Sequence, residues 1–265
     1  MNKTELLDKY ARDGESRLLL ARVLDQQQRA DQRGIPTHTA FLSPAEQAMS
    51  ADLLMAAAPG QGVLHGGYAD AERKLWGFLP DWLDEDLWLA GEDCPLAALE
   101  VRVPKGAKLT HRDYLGSLMG LGITREKIGD ILIGETGAQV IVLRETLPIL
   151  LAQWEKAGRY PVTLTPLPLD QLTPTPGETK EVRATVASVR LDAVVSAGFS
   201  IPRSRAADLI RGGRVMVNHR PCEKTDKVVE AGDVLTCRGL GKCVLTEIGG
   251  TSKRGRTILT LQRYL

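Results

Sequence analysis

From Ser188 to Lys242 the chain reads SVRLDAVVSAGFSIPRSRAADLIRGGRVMVNHRPCEKTDKVVEAGDVLTCRGLGK, a pattern that few folds satisfy. Leu191, Val194 and Val195 fall at i, i+3 and i+4 and make one apolar helical face, extended by Phe199, with Arg190 and Asp192 off it. In the next stretch Ala206, Leu209 and Ile210 share one side, while Ser204, Arg205, Asp208 and Arg211 lie on the other. Arg203 falls at the start of this second helix, where backbone N–H groups and the helix dipole favour a phosphate. Gly212-Gly213 ends it and permits a left-handed turn. Val215 and Val217 then alternate with Arg214 and Met216 as a half-buried strand, followed by turns at Asn218-His219 and Gly232-Asp233. The product is a small α+β unit with one arginine-bearing surface. A guanidinium is a fixed charge and a fork of N–H donors that matches phosphate oxygens.

The overall charge of +1 hides a strong asymmetry. Residues 181–265 hold 15 Lys and Arg against 8 Asp and Glu, a balance of +7. Residues 1–180 hold 19 against 25, a balance of −6. One end suits a polyanion and the body does not. Lys224, Lys227, Arg238 and Lys242 add cations to the basic end, and Arg238-Gly239-Leu240-Gly241-Lys242 reads as a loop able to close over a nucleic-acid backbone. Beyond it, 243–248 and 257–264 read as strands joined by the basic, glycine-rich turn 249–256. That turn is either a second phosphate contact or a charged edge that discourages aggregation.

Upstream, residues 1–33 read as helix with a break at Gly14. Ser43-Pro44-Ala45-Glu46 opens another helix with a capping box and ends near Ala57 before Pro59-Gly60. Short strands are expected at 62–64 and 74–79, and the acidic run Asp81, Asp84, Glu85, Asp86 leaves this first unit as a solvated stretch. Then follow a strand at 98–103, a helix capped at Thr110, strands at 131–133 and 139–143, a helix over 147–157 and a closing strand at 160–164. This order, β-α-β-β-α-β, is the split βαβ arrangement of ferredoxin-like and RRM-type domains. An RRM stacks bases on aromatic side chains of its central strands. Here Val101, Ile141 and Val142 occupy that region without a Phe/Tyr pair, so the usual readout is not expected. Pro166, Pro168, Pro174 and Pro176 suggest a stiff connector. The expected organisation is α+β in three domains: 1–90 mixed helix and strand, 91–168 RRM-like, a linker at 169–180, and 181–265 as the basic module with a C-terminal hairpin.

The spacing of RLDAVV, SRAADLI, GRVMVN and AGDV resembles the S4-type RNA-binding domain. Thr110–Leu132, THRDYLGSLMGLGITREKIGDIL, is similar to the middle-domain signature of YlmH-like proteins, and Gly66-Gly67-Tyr68 with Asp70-Ala71-Glu72-Arg73 matches their N-terminal domain. AGFSIPRSRAADLI also resembles the photosystem II S4 domain subgroup. The resemblance implies a non-catalytic, ribosome-associated protein that meets large-subunit ribosomal RNA and peptidyl-tRNA in quality control. It implies RNA contacts from Arg190, Arg203, Ser204, Arg205, Arg211 and Lys224. Arg125, Glu126 and Lys127 lie in the middle-domain signature, where a structural role in a loop and a tRNA contact both stay open. To these the residues themselves add Arg214, Lys227, Arg238 and Lys242.

The rival reading is an RNA-modifying enzyme or its accessory subunit. Too little chain follows the module for a synthase domain, Gly116, Gly120 and Gly122 do not follow a strand as a cofactor loop requires, and no metal-binding spacing occurs among the histidines and cysteines. A link to photosystem assembly rests only on the subgroup's name. No cofactor, a cytoplasmic location, no membrane contact and a monomer are expected.

Overall fold

The computed structural model describes all residues except 58, 59, 61, 176, 253 and 265. The chain divides into two compact units, Met1–Thr175 and Pro176–Leu265.

The first unit opens with α1 (Lys3–Tyr10) and α2 (Gly14–Arg33), each begun by a capping box, from Asn2 and Asp13. The break at Gly14 is therefore a helix start. β1 (Thr37–His38) leads to α3 (Pro44–Ala57), where the Ser43 N–H donates to the Glu46 carboxylate at 2.6 Å. The stop expected at Pro59 lies outside the described residues. β2 (Val63–His65) and β3 (Leu75–Phe78) complete an antiparallel sheet in the order β1-β3-β2. The acidic run is not simply solvated: it starts α4 (Glu85–Ala90), with Asp84 as N-cap and Trp88 buried beneath.

β4 (Leu96–Arg102), α5 (His111–Gly120), β5 (Ile128–Gly134), β6 (Gly137–Leu143), α6 (Leu147–Gln153), the two-residue strands β7 (Lys156–Ala157) and β8 (Tyr160–Pro161), and β9 (Thr163–Leu167) follow. The sheet order β5-β6-β4-β9, all antiparallel, is the split βαβ topology. α6 ends at Gln153, short of Ala157, because Trp154 turns inward and donates its indole N–H to Ser117 and to the Lys156 carbonyl.

Both faces of this sheet are buried. Leu99, Val101, Val140 and Val142 pack against Tyr114, Leu118 and Leu150 of α5 and α6. On the other face Leu96, Ile141 and Leu143 pack against Phe41, Leu75 and Trp88. An RRM needs that second face bare for bases, so its apolar side chains have a structural cause here. Of Val101, Ile141 and Val142, only Ile141 lies on it; Val101 and Val142 point to the helices. The proline connector also folds back. Pro166 sits in β9, an edge strand where a missing N–H is tolerated. Leu169 and Leu172 join the second apolar cluster, and the Thr173 N–H donates to Gln139. Pro176 lies outside the described residues.

In the second unit come β10 (Thr179–Val186), α7 (Leu191–Phe199), α8 (Arg203–Arg211), β11 (Val215–Val217), β12 (Arg220–Pro221), β13 (Val234–Cys237), β14 (Gly241–Thr251) and β15 (Thr257–Tyr264). Their antiparallel sheet runs β10-β15-β14-β13-β11-β12. β10, which local sequence pattern announces only over the short alternation of Val182, Ala184 and Val186, pairs with β15 along its whole length. Leu191, Val194, Val195 and Phe199 of α7 and Ala206 and Ile210 of α8 pack on Leu235, Leu245, Leu259 and Leu261. A Cβ at Gly198 would stand 2.7 Å from the Cys243 sulfur, so α7 reaches β14 this closely only with glycine there.

Candidate nucleic-acid interface

The local sequence fixes where α8 begins. α7 stops at Ser200, which takes a left-handed conformation, and Ser196 ties the turn through hydrogen bonds to Ile201. Pro202 precedes the first helical residue, Arg203. Burial of Ala206 and Ile210 then turns Arg203, Ser204, Arg205, Asp208 and Arg211 to solvent. Gly213, at φ +65°, carries the chain out of α8.

The cations form two groups of different character. Around the start of α7, Asp192 is 7% exposed, not a solvent-facing residue as its place off the apolar face suggests. It receives two hydrogen bonds from Arg203, Nε to Oδ2 at 3.0 Å and Nη2 to Oδ1 at 3.1 Å, and Arg190 Nε stands 3.5 Å from Oδ1. Such a fork holds the guanidinium in one orientation. Arg190 and Arg203 are thus partly committed inside the protein, with side chains 41% and 53% exposed. The N–H groups of Leu191 and Asp192 donate to the carbonyls of Lys227 and Thr225. That turn caps α7 and brings the exposed Lys224 and Lys227 to the same group, their ammonium groups unpaired among the described residues.

In the second group Arg205, Arg214 and Arg238 have no ion pair among the described residues. Arg205 and Arg214 lie close enough to Cys237 to oppose the rise that burial imposes on its thiol pKa. Arg214 donates to the Arg238 carbonyl at 3.3 Å, and the Arg238 N–H donates back to the Arg214 carbonyl at 2.9 Å. Arg205 and Arg238 make no side-chain hydrogen bond or ion pair with a described residue, and all three are exposed. Arg211 keeps only a weak surface contact with Asp208 at 3.4 Å. Lys242 corrects the expected loop: it is a β14 residue whose ammonium sits 4.1 Å over the Tyr264 ring. Only Arg238, Gly239 and Leu240 turn between the strands, and Leu240 packs on the core.

Asp192 is the residue sequence reasoning undervalued. A wheel at about 100° per residue puts it about 20° from Phe199, at the rim of the buried arc. It is also the one acidic residue between Glu181 and Asp208.

The middle-domain signature has other work. Asp130 accepts from the Tyr68 hydroxyl at 2.8 Å and from the N–H groups of Glu72 and Arg73 at 2.7 and 3.0 Å. Burial first, and then Asp130, push the Tyr68 hydroxyl pKa upward. Arg73 donates to the carbonyls of Ile128, Phe41 and Arg125, while Arg125 donates to those of Ile128 and Gly129. Burial, with Arg73 beside it, draws Arg125 down to about 10. Lys127 pairs with Glu145. The two family-like motifs therefore lock onto each other.

Comparison with known proteins agrees with this layout. A YlmH N-terminal model matches residues 15–77, a model described as the putative RNA-binding domain in YlmH matches 90–171, and an S4 domain model matches 189–235. The ribosome-associated protein quality control protein P2 of Bacillus subtilis (strain 168) is 36% identical over 231 residues, 85% of this chain and 86% of that protein. The chain belongs to the YlmH family. Cell division protein ylmH from Streptococcus pneumoniae is a solved relative with 24% identity and a TM-score of 0.49, covering 60% of this chain and 94% of that one. In this YlmH-family chain α7, α8, β11 and β12 fall inside the S4 match, whereas β10, β14 and β15 lie outside it. Among the described residues no helix is long and apolar enough to cross a membrane, and no group of three or more His, Cys, Asp or Glu could hold a metal.

Proposed function

We propose that this chain is a non-catalytic, monomeric RNA-binding protein of the cytoplasm that docks on structured RNA of the large ribosomal subunit. Its setting is ribosome-associated quality control, the role that the name of the Bacillus subtilis relative gives to that protein. Residues 181–265 hold the RNA, while 1–90 and 91–168 serve as a body whose sheet is closed to bases. Peptidyl-tRNA offers the same phosphate chemistry and is a second partner on this reading.

One observation carries the proposal: Arg205, Arg214 and Arg238 are exposed around Cys237 and Gly239, with no ion pair to a carboxylate among the described residues. These three make the main phosphate contacts. Ser204, Lys224, Lys227 and Arg211 extend the surface, and Arg190 and Arg203 present their outer N–H groups in the orientation Asp192 sets. Lys242 contributes only field from beside Tyr264.

The test is salt-dependent binding to purified large subunits. With about five phosphates contacted, log K falls against log salt with a slope near −4. Replacing Arg205, Arg214 and Arg238 together by Glu abolishes co-sedimentation at about 0.1 M salt while the thermal transition stays in place. Undiminished pelleting of the triple variant overturns the proposal.

A further inference from the structure

We infer that the hairpin formed by the far ends of β14 and β15 is a second nucleic-acid contact, a basic arm that grips the phosphate backbone of double-helical RNA apart from the α8 surface. The inference rests on the RNA-binding reading above.

Three observations carry it. First, the hairpin has no core of its own. Leu245 and Leu259 are fully buried, yet no described residue between them is buried. β14 pairs with β13 only as far as Val244 but continues alongside β15 to Thr251. β15 keeps β10 beside it as far as Thr257, which pairs with the buried Val186, so three strands run to the end of the sheet and the turn carrying Arg254 and Arg256 projects beyond them.

Second, the charge of its turn and of β15 is of one sign, Glu247 being the one acidic residue on the β14 side. From Ile248 to Leu265 there is no Asp or Glu; the sequence between the two strands holds Lys253, Arg254 and Arg256, while Arg263 lies at the other end of β15 and donates to the Phe199 carbonyl. The turn that carries Arg254 and Arg256 is ordered: Ser252 N–H donates to the Arg256 carbonyl at 2.7 Å, and Arg256 N–H to the Ser252 hydroxyl at 3.1 Å. Arg256 also donates to the Thr185 carbonyl at 2.7 Å, which fixes the turn to β10. Arg254 is exposed and has no hydrogen bond or ion pair with a described residue.

Third, the cations are misplaced for protecting a strand edge. The unpaired edge, 246–251, reads TEIGGT and carries only Glu247. Register shifts between Leu245 and Glu247 and between Ile248 and Thr251, with Gly249-Gly250, already break that edge against pairing. The positive charge is at the tip, where it meets whatever the turn reaches. A-form RNA is recognised through phosphates and 2′-hydroxyls across a wide, shallow groove, a surface that a projecting cationic turn fits without reading sequence.

The experiment measures binding of the full chain to deproteinised large-subunit ribosomal RNA across a salt series. It compares three variants: K253Q with R254Q, R254K alone, and R205Q with R214Q. Removing one cation from a phosphate reduces the slope of log K against log salt by roughly 0.7 to 0.9. The K253Q/R254Q variant is expected to take about 1.5 from the slope, and R254K to keep it. If K253Q/R254Q retains the full slope while R205Q/R214Q shows a reduced one, the arm does not touch RNA and the α8 reading stands. If neither pair changes the slope, the RNA-binding reading itself falls. A weaker affinity with an unchanged slope also overturns the arm, because its grip is purely electrostatic.

Discussion

The two units differ in how many of their arginines are tied to their own backbone and how many are left exposed. In residues 1–175 the arginines at 73, 125 and 144 donate to backbone carbonyls of the unit itself. In residues 176–265 Arg205, Arg238 and Arg254 are exposed without such partners. The sheets differ in the same way. The first is covered on both faces, by α5 and α6 and by Phe41, Leu75 and Trp88. In the second, α7 and α8 join one buried cluster while Lys242 and Tyr264 stack outside it. An arginine count therefore says little about nucleic-acid binding until it is known where the N–H groups go. The balances of −6 over residues 1–180 and +7 over residues 181–265 put the excess of cation at the second end, where it can meet a polyanion.

That contrast can be broken most forcefully at Arg73. Arg73→Ala leaves the Phe41 and Arg125 carbonyls without this donor and Ile128 with Arg125 alone, and should lower stability by about 2 to 3 kcal/mol while leaving the salt slope of RNA binding intact. Urea denaturation alongside RNA titration checks both halves, and a change in slope would erase the distinction between the units. Arg73→Lys should rescue little, since an ammonium cannot reproduce the planar fork.

A smaller effect is expected where the two uses meet. Asp192→Asn removes the charge that holds Arg203 and Arg190. With both guanidiniums partly in water, the loss should be about 1 to 2 kcal/mol. The freed donors should also steepen the salt dependence of RNA binding by up to about 1. An unchanged slope with lowered stability would make Asp192 purely structural.

The mildest test is pH. His65 accepts the Gly67 N–H through Nδ1 at 3.0 Å, which requires a neutral ring, and burial lowers its pKa below the ordinary 6.5. Burial, aided by Arg125, lowers His111 as well. A depressed histidine takes up its proton on unfolding, so this stabilisation is complete above about 6.5 and is lost as pH falls below it. Thermal unfolding monitored between pH 7.5 and 5 should show the decline, and His65→Gln should flatten it. A curve whose decline is unaffected by that substitution would exclude His65 as its source.

Much of this was legible in residue order. Capping boxes, the split βαβ order and the apolar stripes of α7 and α8 depend on neighbours within about four positions, and local rules read them well. Capped starts at Ser43 and Thr110 illustrate this. What stayed hidden involves distant partners. β10 alternates Val182, Ala184 and Val186 with Arg183 and Thr185 over only five positions, and this short signal becomes a strand through the ladder that β15 offers it. The cover over Ile141 comes from Phe41, a hundred positions earlier.

By itself, then, the sequence determined the elements, the separation of charge and the set of arginines that could meet RNA. Only the tertiary structure decided which of them are free. It set Asp192 against Arg203, stacked Lys242 on Tyr264 and left Arg205, Arg214 and Arg238 without an ion pair among the described residues. The reason is physical: helical and strand periodicity is a property of adjacent residues, whereas a guanidinium's partner is set by whichever acceptor the folded chain brings within about 3 Å.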